Sequence, residues 1–201
     1  ILLGRSWREA IGQRPVWLAA STREGEEELV LTAWRKLAVP HALLVLVPRH
    51  PQRFGAVAEL LAREKISFGR RSEGLPGSET QVWLGDSMGE MAAYFTLADV
   101  AFIGGSLLPL GGQNLIEAAA CGCPSVVGPH TFNFLQATAD AIAAGAALRV
   151  DDADGLAAAI GRVFGDSGEL GAMRAAALSF AAAHRGATER TVALIRSALT
   201  S

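Results

Sequence analysis

The chain has 201 residues, half of them hydrophobic, with 18 Lys and Arg set against 20 Asp and Glu. That is enough to close one α/β core, while a net charge of -2 and a pI near 6.1 exclude a broad basic surface for nucleic acid. No apolar run approaches the ~20 residues needed to span a bilayer, and no basic segment followed by an apolar one opens the chain as a signal peptide would.

In chain order, the start at Ile1 and the segment from Leu2 to Trp7 have the character of an interdomain linker. Residues 1–14 are therefore expected to be a linker and 15–201 a single domain. Residues 16–21 read as a first strand, and residues 25–37 as a helix whose opening Glu26, Glu27 and Glu28 suit the positive end of its dipole. Residues 43–47 are wholly apolar, as expected of a strand buried on both faces of a parallel sheet. Pro51 then sits near the start of a helix with Phe54, Val57, Leu60 and Leu61 at helical spacing. Further strands are expected at 66–68, 81–85, 100–103, 125–127 and 147–150, with helices at 90–98, 112–121 and 133–143. The Ala-rich remainder from 154 to 199 reads as two or three helices broken at Gly165-Asp166 and at Gly186. Alternating strands and helices joined by short loops specify an α/β fold: a Rossmann-like, doubly wound parallel sheet with helices on both faces.

The stretch from 104 to 124 says most about chemistry. A buried strand empties into Gly104, Gly105, Ser106, Gly111 and Gly112, and a helix is expected to begin near Gly112. Such a junction suits an anion, because glycines admit a phosphate to the backbone and a helix start offers free N–H groups. Gln113 belongs to this expected phosphate-binding turn. Asn114 is placed to cap the helix or to touch the phosphate, and Glu117 to accept hydrogen bonds from a ribose diol. Each of these residues alone also has a structural reading, as turn, cap or solvated side chain. Together, in one strand-loop-helix unit, they point to a nucleotide. The other notable residues follow strand ends too: Arg49 after the second strand, Asp86 to Glu90 after the fourth, His130 after the sixth. In doubly wound sheets ligands lie there.

Pro48 to Phe54, Leu84 to Glu90, Gly104 to Glu117 and Gly128 to Phe134 resemble, in order and spacing, the C-terminal half of the bacterial 3-deoxy-D-manno-octulosonic acid (Kdo) transferases. The resemblance covers nearly the whole chain. One departure is Gln113, where that family more often has histidine. The resemblance implies the C-terminal half of a GT-B glycosyltransferase, which moves Kdo from CMP-Kdo to the lipid A precursor of lipopolysaccharide. It further implies CMP as the product, no cofactor, an N-terminal domain that supplies a glutamate general base, and a membrane anchor upstream of Ile1. The whole enzyme would then work at the cytoplasmic face of the inner membrane, and this fragment would be soluble and inactive alone.

Arg49 is the expected charged partner of the phosphate, since a guanidinium gives bidentate recognition at any working pH. With Asn114 it would stabilise the leaving group. Backbone groups of Ser87, Met88 and Gly89 suit the cytosine edge, and the Met88 side chain either covers the base or plugs the core. His50, Glu90, His130 and Asn133 are expected to shape the cleft, the last two by the family resemblance. Asp86 and Glu90 are too few to specify a metal, and none is expected. Cys121 and Cys123, too close for an easy disulfide, read as small core residues. Two rival readings remain: another GT-B domain or epimerase using UDP-sugars, and a nucleotide-binding module without catalysis.

Overall fold

The computed structural model describes residues 1–184. Its order is α1 (Leu2–Ile11), β1 (Val16–Thr22), α2 (Glu26–Lys36), β2 (Leu43–Pro48), α3 (Phe54–Arg63), β3 (Phe68–Arg70), β4 (Val82–Leu84), α4 (Met91–Leu97), β5 (Val100–Ile103), α5 (Ile116–Ala120), β6 (Ser125–Val127), α6 (Leu135–Ala143), β7 (Ala147–Arg149), α7 (Ala153–Gly165) and α8 (Ser167–His184). The seven strands form one parallel sheet in the order β3-β4-β2-β1-β5-β6-β7. Parallel pairing requires crossovers, and these place helices on both faces.

The period of two in each strand divides the core. Val16, Leu18 and Ala20 of β1 join Leu43, Val45 and Val47 of β2 under α1, α4, α5 and α8. Trp17, Ala19, Leu44 and Leu46 face α2, α3 and α7 on the other side. Both faces are dry, which is why these strands read as unbroken apolar runs. Because β1 pairs with β2 on one side and β5 on the other, the chain reverses its direction across the sheet between β1 and β5. The carboxyl ends of those two strands are therefore the crevice where a ligand fits.

Two expectations shift. The connection expected at 1–14 contains a ten-residue helix, whose Trp7 is only 4% exposed and meets Trp83 edge-on at a centroid distance of 5.1 Å. Gly4 lets this helix press on α4, since a Cβ there would lie 2.3 Å from the Ala93 carbonyl oxygen. The third strand runs over 68–70, not 66–68, because α3 ends in a Schellman turn. Lys65 takes φ 55°, its N–H bonds Ala62 O, and the Ile66 N–H bonds Leu61 O, so Ile66 is spent on the cap. The same turn closes α5: Gly122 has φ 70°, and the Cys123 N–H reaches Ala118 O at 3.0 Å. The two cysteines thus flank a left-handed glycine, and burial pushes the Cys123 thiol pKa up. The break at Gly165-Asp166 separates α7 from α8, whereas the expected break at Gly186 lies outside the described residues.

Candidate functional site

A cleft of about 210 Å3 opens at the carboxyl edge of the sheet, between the ends of β1, β2 and β5. Ala20, Ser21, Val47, Pro48 and Ile103 line its floor, Arg49 and the Ser87–Glu90 loop one side, and Gln113, Asn114 and Glu117 the other. Eight of the residues expected to form a site therefore meet in one place: Arg49, Ser87, Met88, Gly89, Glu90, Gln113, Asn114 and Glu117.

Arg49 is exposed, and none of the ion pairs among the described residues engages its guanidinium. Its backbone is held by an N–H bond of 2.9 Å to Thr22 O, so the head group is free while its root is fixed. Arg53, four residues on, is tied instead to the fully buried Glu27 at 2.9 Å and to Glu24 at 3.2 Å. Burial raises the Glu27 pKa above its ordinary value, outweighing the lowering effects of its own backbone hydrogen bond, Arg53 and the Thr22 hydroxyl.

The Ser87–Glu90 loop is braced from behind. The Ser87 hydroxyl lies 2.5 Å from Glu90 Oε2, to which it donates, and 2.8 Å from the Tyr94 hydroxyl. Arg71 donates to Glu90 Oε1 at 3.0 Å and stacks over the Trp7 ring at 4.9 Å. Gly89 adopts φ 76°, leaving Met88, 59% exposed, projecting at the cleft edge; it does not plug the core. Asp86 turns away to accept from the Ser72 N–H at 2.8 Å and the Ser72 hydroxyl at 2.6 Å. Burial pushes the Tyr94 pKa up to about 12, so its phenol stays protonated as a hydrogen-bonding group.

The glycine loop departs most from expectation. Helix α5 begins at Ile116, four residues later than Gly112, because Gly111 and Gly112 adopt φ 91° and 77°, which a helix cannot use. Of the loop N–H groups expected for a phosphate, those of Gly104, Gly105, Ser106 and Gly112 are already taken. Glu26, 0% exposed, accepts from Gly105 N–H at 2.5 Å, Ser106 N–H at 3.0 Å and Leu107 N–H at 3.1 Å. Ser106 is equally buried, its hydroxyl donating to Ile103 O and accepting from the Gly128 N–H at 2.8 Å. Gly105, Ser106, Gly111 and Gly112 thus build the loop and do not line the cleft. Asn114 precedes the N-cap of α5, Leu115; its Oδ1 accepts from the Ile116 N–H at 3.0 Å, and the residue lines the cleft. It also donates to Glu117 Oε1 at 3.3 Å, setting that exposed carboxylate in the first turn of α5.

Of the residues expected to shape the cleft, only Glu90 lines it; His50, His130 and Asn133 do not. His50 precedes a short helical turn and is exposed. His130 and Asn133 join the two loops through backbone bonds, His130 N–H to Ser106 O and Asn133 N–H to Gly111 O, each 3.0 Å. Sequence reasoning missed Tyr94 and Arg71, as well as the inward aim of Glu26 and Glu27. Only Tyr94, one helical turn after Glu90, carried a usable signal. Among the described residues no three His, Cys, Asp or Glu side chains gather as metal ligands would, and no helix is long and apolar enough to cross a membrane.

A seven-stranded parallel sheet with this cleft at its switch point has the architecture of the C-terminal domain of a GT-B glycosyltransferase. No family model matches the chain, but individual proteins do. A 3-deoxy-D-manno-octulosonic acid transferase of Bordetella pertussis is 48% identical over 197 residues, which is 94% of this chain and 46% of that protein. The enzyme of the same name in Haemophilus influenzae is 50% identical over 131 residues, 64% of this chain and 30% of that one. The crystal structure of the C-terminal CMP-Kdo binding domain of WaaA from Acinetobacter baumannii is 33% identical, with a TM-score of 0.81. The match covers 89% of this chain and 94% of that domain. The chain belongs to the 3-deoxy-D-manno-octulosonic acid transferase family. It spans less than half the length of the two full-length transferases it matches.

Proposed function

We propose that the cleft binds the CMP part of CMP-Kdo and that the whole protein transfers Kdo to a lipid A precursor. The observation that carries this reading is the unpaired Arg49 guanidinium on one side of the cleft, with Asn114 and Glu117 joined by a hydrogen bond on the other. The phosphate sits by Arg49 and the Gln113–Asn114 turn, the ribose diol on Glu117, and the cytosine edge on the backbone of Ser87, Met88 and Gly89. Likeness to the Acinetobacter CMP-Kdo binding domain supports the same assignment.

The reaction is a displacement at the anomeric carbon that inverts it. As the bond to CMP breaks, charge accumulates on the departing phosphate, where Arg49 and the Asn114 side-chain amide stabilise it. A donor aimed at such charge is worth ~3–4 kcal/mol. No acidic residue of this domain is assigned to deprotonate the acceptor hydroxyl. Glu90 is held by Arg71 and Ser87, Asp86 by Ser72 and Glu26 by the glycine loop. The general base belongs to an N-terminal domain, so this chain alone is inactive and the full enzyme acts at the cytoplasmic face of the inner membrane.

Calorimetric titration of this chain with CMP, CMP-Kdo, UMP and UDP tests the assignment. CMP and CMP-Kdo should bind weakly, because a cleft of about 210 Å3 is smaller than the ~300–1,000 Å3 typical of complete ligand pockets. Preference for UDP would transfer the site to UDP-sugar chemistry. Product formation from CMP-Kdo and the lipid A precursor would place the base within these residues.

A further inference from the structure

The loop after β5 encloses a fully buried carboxylate that has no place in the chemistry above. Glu26, the first residue of α2, accepts from four backbone N–H groups: Arg23 at 2.9 Å, Gly105 at 2.5 Å, Ser106 at 3.0 Å and Leu107 at 3.1 Å. Successive N–H groups converging on one point form an anion nest. Here the anion is part of the protein. No arginine or lysine pairs with Glu26 among the described residues, so backbone dipoles alone offset its charge.

Two further observations connect this carboxylate to the ligand side of the cleft. Gly105 O, next to the nest, accepts the Gly112 N–H at 2.7 Å, and the chain then passes directly into Gln113 and Asn114 on the cleft wall. On the floor itself Ser21 adopts φ 56°, a left-handed backbone unusual outside glycine, and the β1–β2 register shifts there. The close approach of Gly104 to Ser21 leaves no room for change: a Cβ on Gly104 would lie 2.4 Å from Ser21 O. A strained residue persists only where its surroundings over-determine it, and Glu26 ties together the segments after β1 and β5 that do so.

We propose that Glu26 is a positioning residue for phosphate recognition. Its carboxylate fills the loop's anion nest, fixes the path from Gly105 to Asn114, and leaves Arg49 and the Gln113–Asn114 turn as the place for the ligand phosphate. With the nest filled from within, the bound phosphate lies toward Arg49. The inference rests on the nucleotide reading of the cleft.

The test compares CMP with cytidine, which lacks the phosphate, in the wild-type chain, Glu26→Gln and Glu26→Ala. Binding is measured by titration and folding by thermal melts. The ratio of cytidine to CMP dissociation constants should fall by about tenfold in Glu26→Ala, the scale of one charge-assisted interaction, while cytidine binding is nearly unchanged. Glu26→Gln keeps the shape but offers one acceptor oxygen in place of two, and should lie between. Added formate should re-enter the vacated nest and restore CMP affinity to Glu26→Ala, without effect on the wild type. An unchanged ratio, an equal loss for both ligands, or loss of the fold in both variants would overturn the assignment, since each means that Glu26 serves stability alone. Failure of the wild-type chain to bind CMP would instead overturn the nucleotide reading itself.

Discussion

The two walls of the cleft are built on opposite plans. The loop after β5 is rich in glycine and backbone N–H groups, yet Glu26 occupies the N–H groups of residues 105–107 and Gly105 O that of Gly112. On the opposite wall Arg49 is free, and the Ser87–Glu90 loop, with Gly89 at a positive φ, lines the cleft. A glycine-rich turn is therefore a poor guide to where a ligand is held. The groups that face the cleft are the Arg49 guanidinium, which has no ion-pair partner among the described residues, and Gln113, Asn114 and Glu117, the last two bonded to each other.

If that contrast holds, substitutions on the two walls separate in their readouts. The largest effect on binding is expected at Arg49. Arg49→Ala should weaken CMP by about tenfold to hundredfold and leave cytidine and the melting temperature unchanged, because the side chain is exposed and unpaired. Equal loss for cytidine would move Arg49 away from the phosphate. Next, Glu117→Gln should weaken CMP by about tenfold but have little effect on deoxycytidine monophosphate, which lacks the 2′-hydroxyl. A similar loss for both ligands in calorimetry would remove Glu117 from the ribose.

The construction side should behave in the opposite sense. Ser106→Ala leaves the buried Gly128 N–H without its acceptor at a cost of ~1–3 kcal/mol, and Tm should fall by roughly 2–4 °C for each kcal/mol. CMP affinity, measured where the variant is folded, should change little. A Ser106→Ala domain that melts normally and no longer binds CMP would reverse the comparison.

The smallest expected effect is on pH dependence. Burial holds the Glu27 pKa above its ordinary value, so between that value and the raised one the folded chain keeps a proton that the unfolded chain has lost. This contribution to stability is complete at low pH and declines as pH rises through the raised pKa. Glu27→Gln has no such proton to lose, and its stability should improve relative to the wild type over that rise. Melts of both proteins across a pH series would show it, and a flat or reversed difference would mean that the Arg53 pair outweighs burial.

Much of the architecture was legible in the residue order. Unbroken apolar runs such as Leu43 to Val47 specify strands covered on both faces, and alternation with helices makes them parallel. The positions of Arg49, Ser87 and Asn114 just beyond strand ends placed them in the switch-point crevice before any coordinate did. Local rules failed where a residue had a competing local task. Ile66 closes α3 instead of entering a strand, and Gly111 and Gly112 shape a loop instead of opening a helix.

What only the tertiary structure decided is which polar groups remain free. Glu26 reads in isolation as a residue favoured by a helix dipole, but its carboxylate is completed by N–H groups 79 to 81 residues away. Arg71 reaches Glu90 across 19 residues, and α1 packs Trp7 onto Trp83 from the far end of the chain. Hydrophobic periodicity records how each segment meets the core and carries no information on which distant segment a buried carboxylate will face. That pairing is settled by the crossovers bringing the ends of β1 and β5 together, and it assigns the glycine loop to Glu26 and the open cleft wall to Arg49.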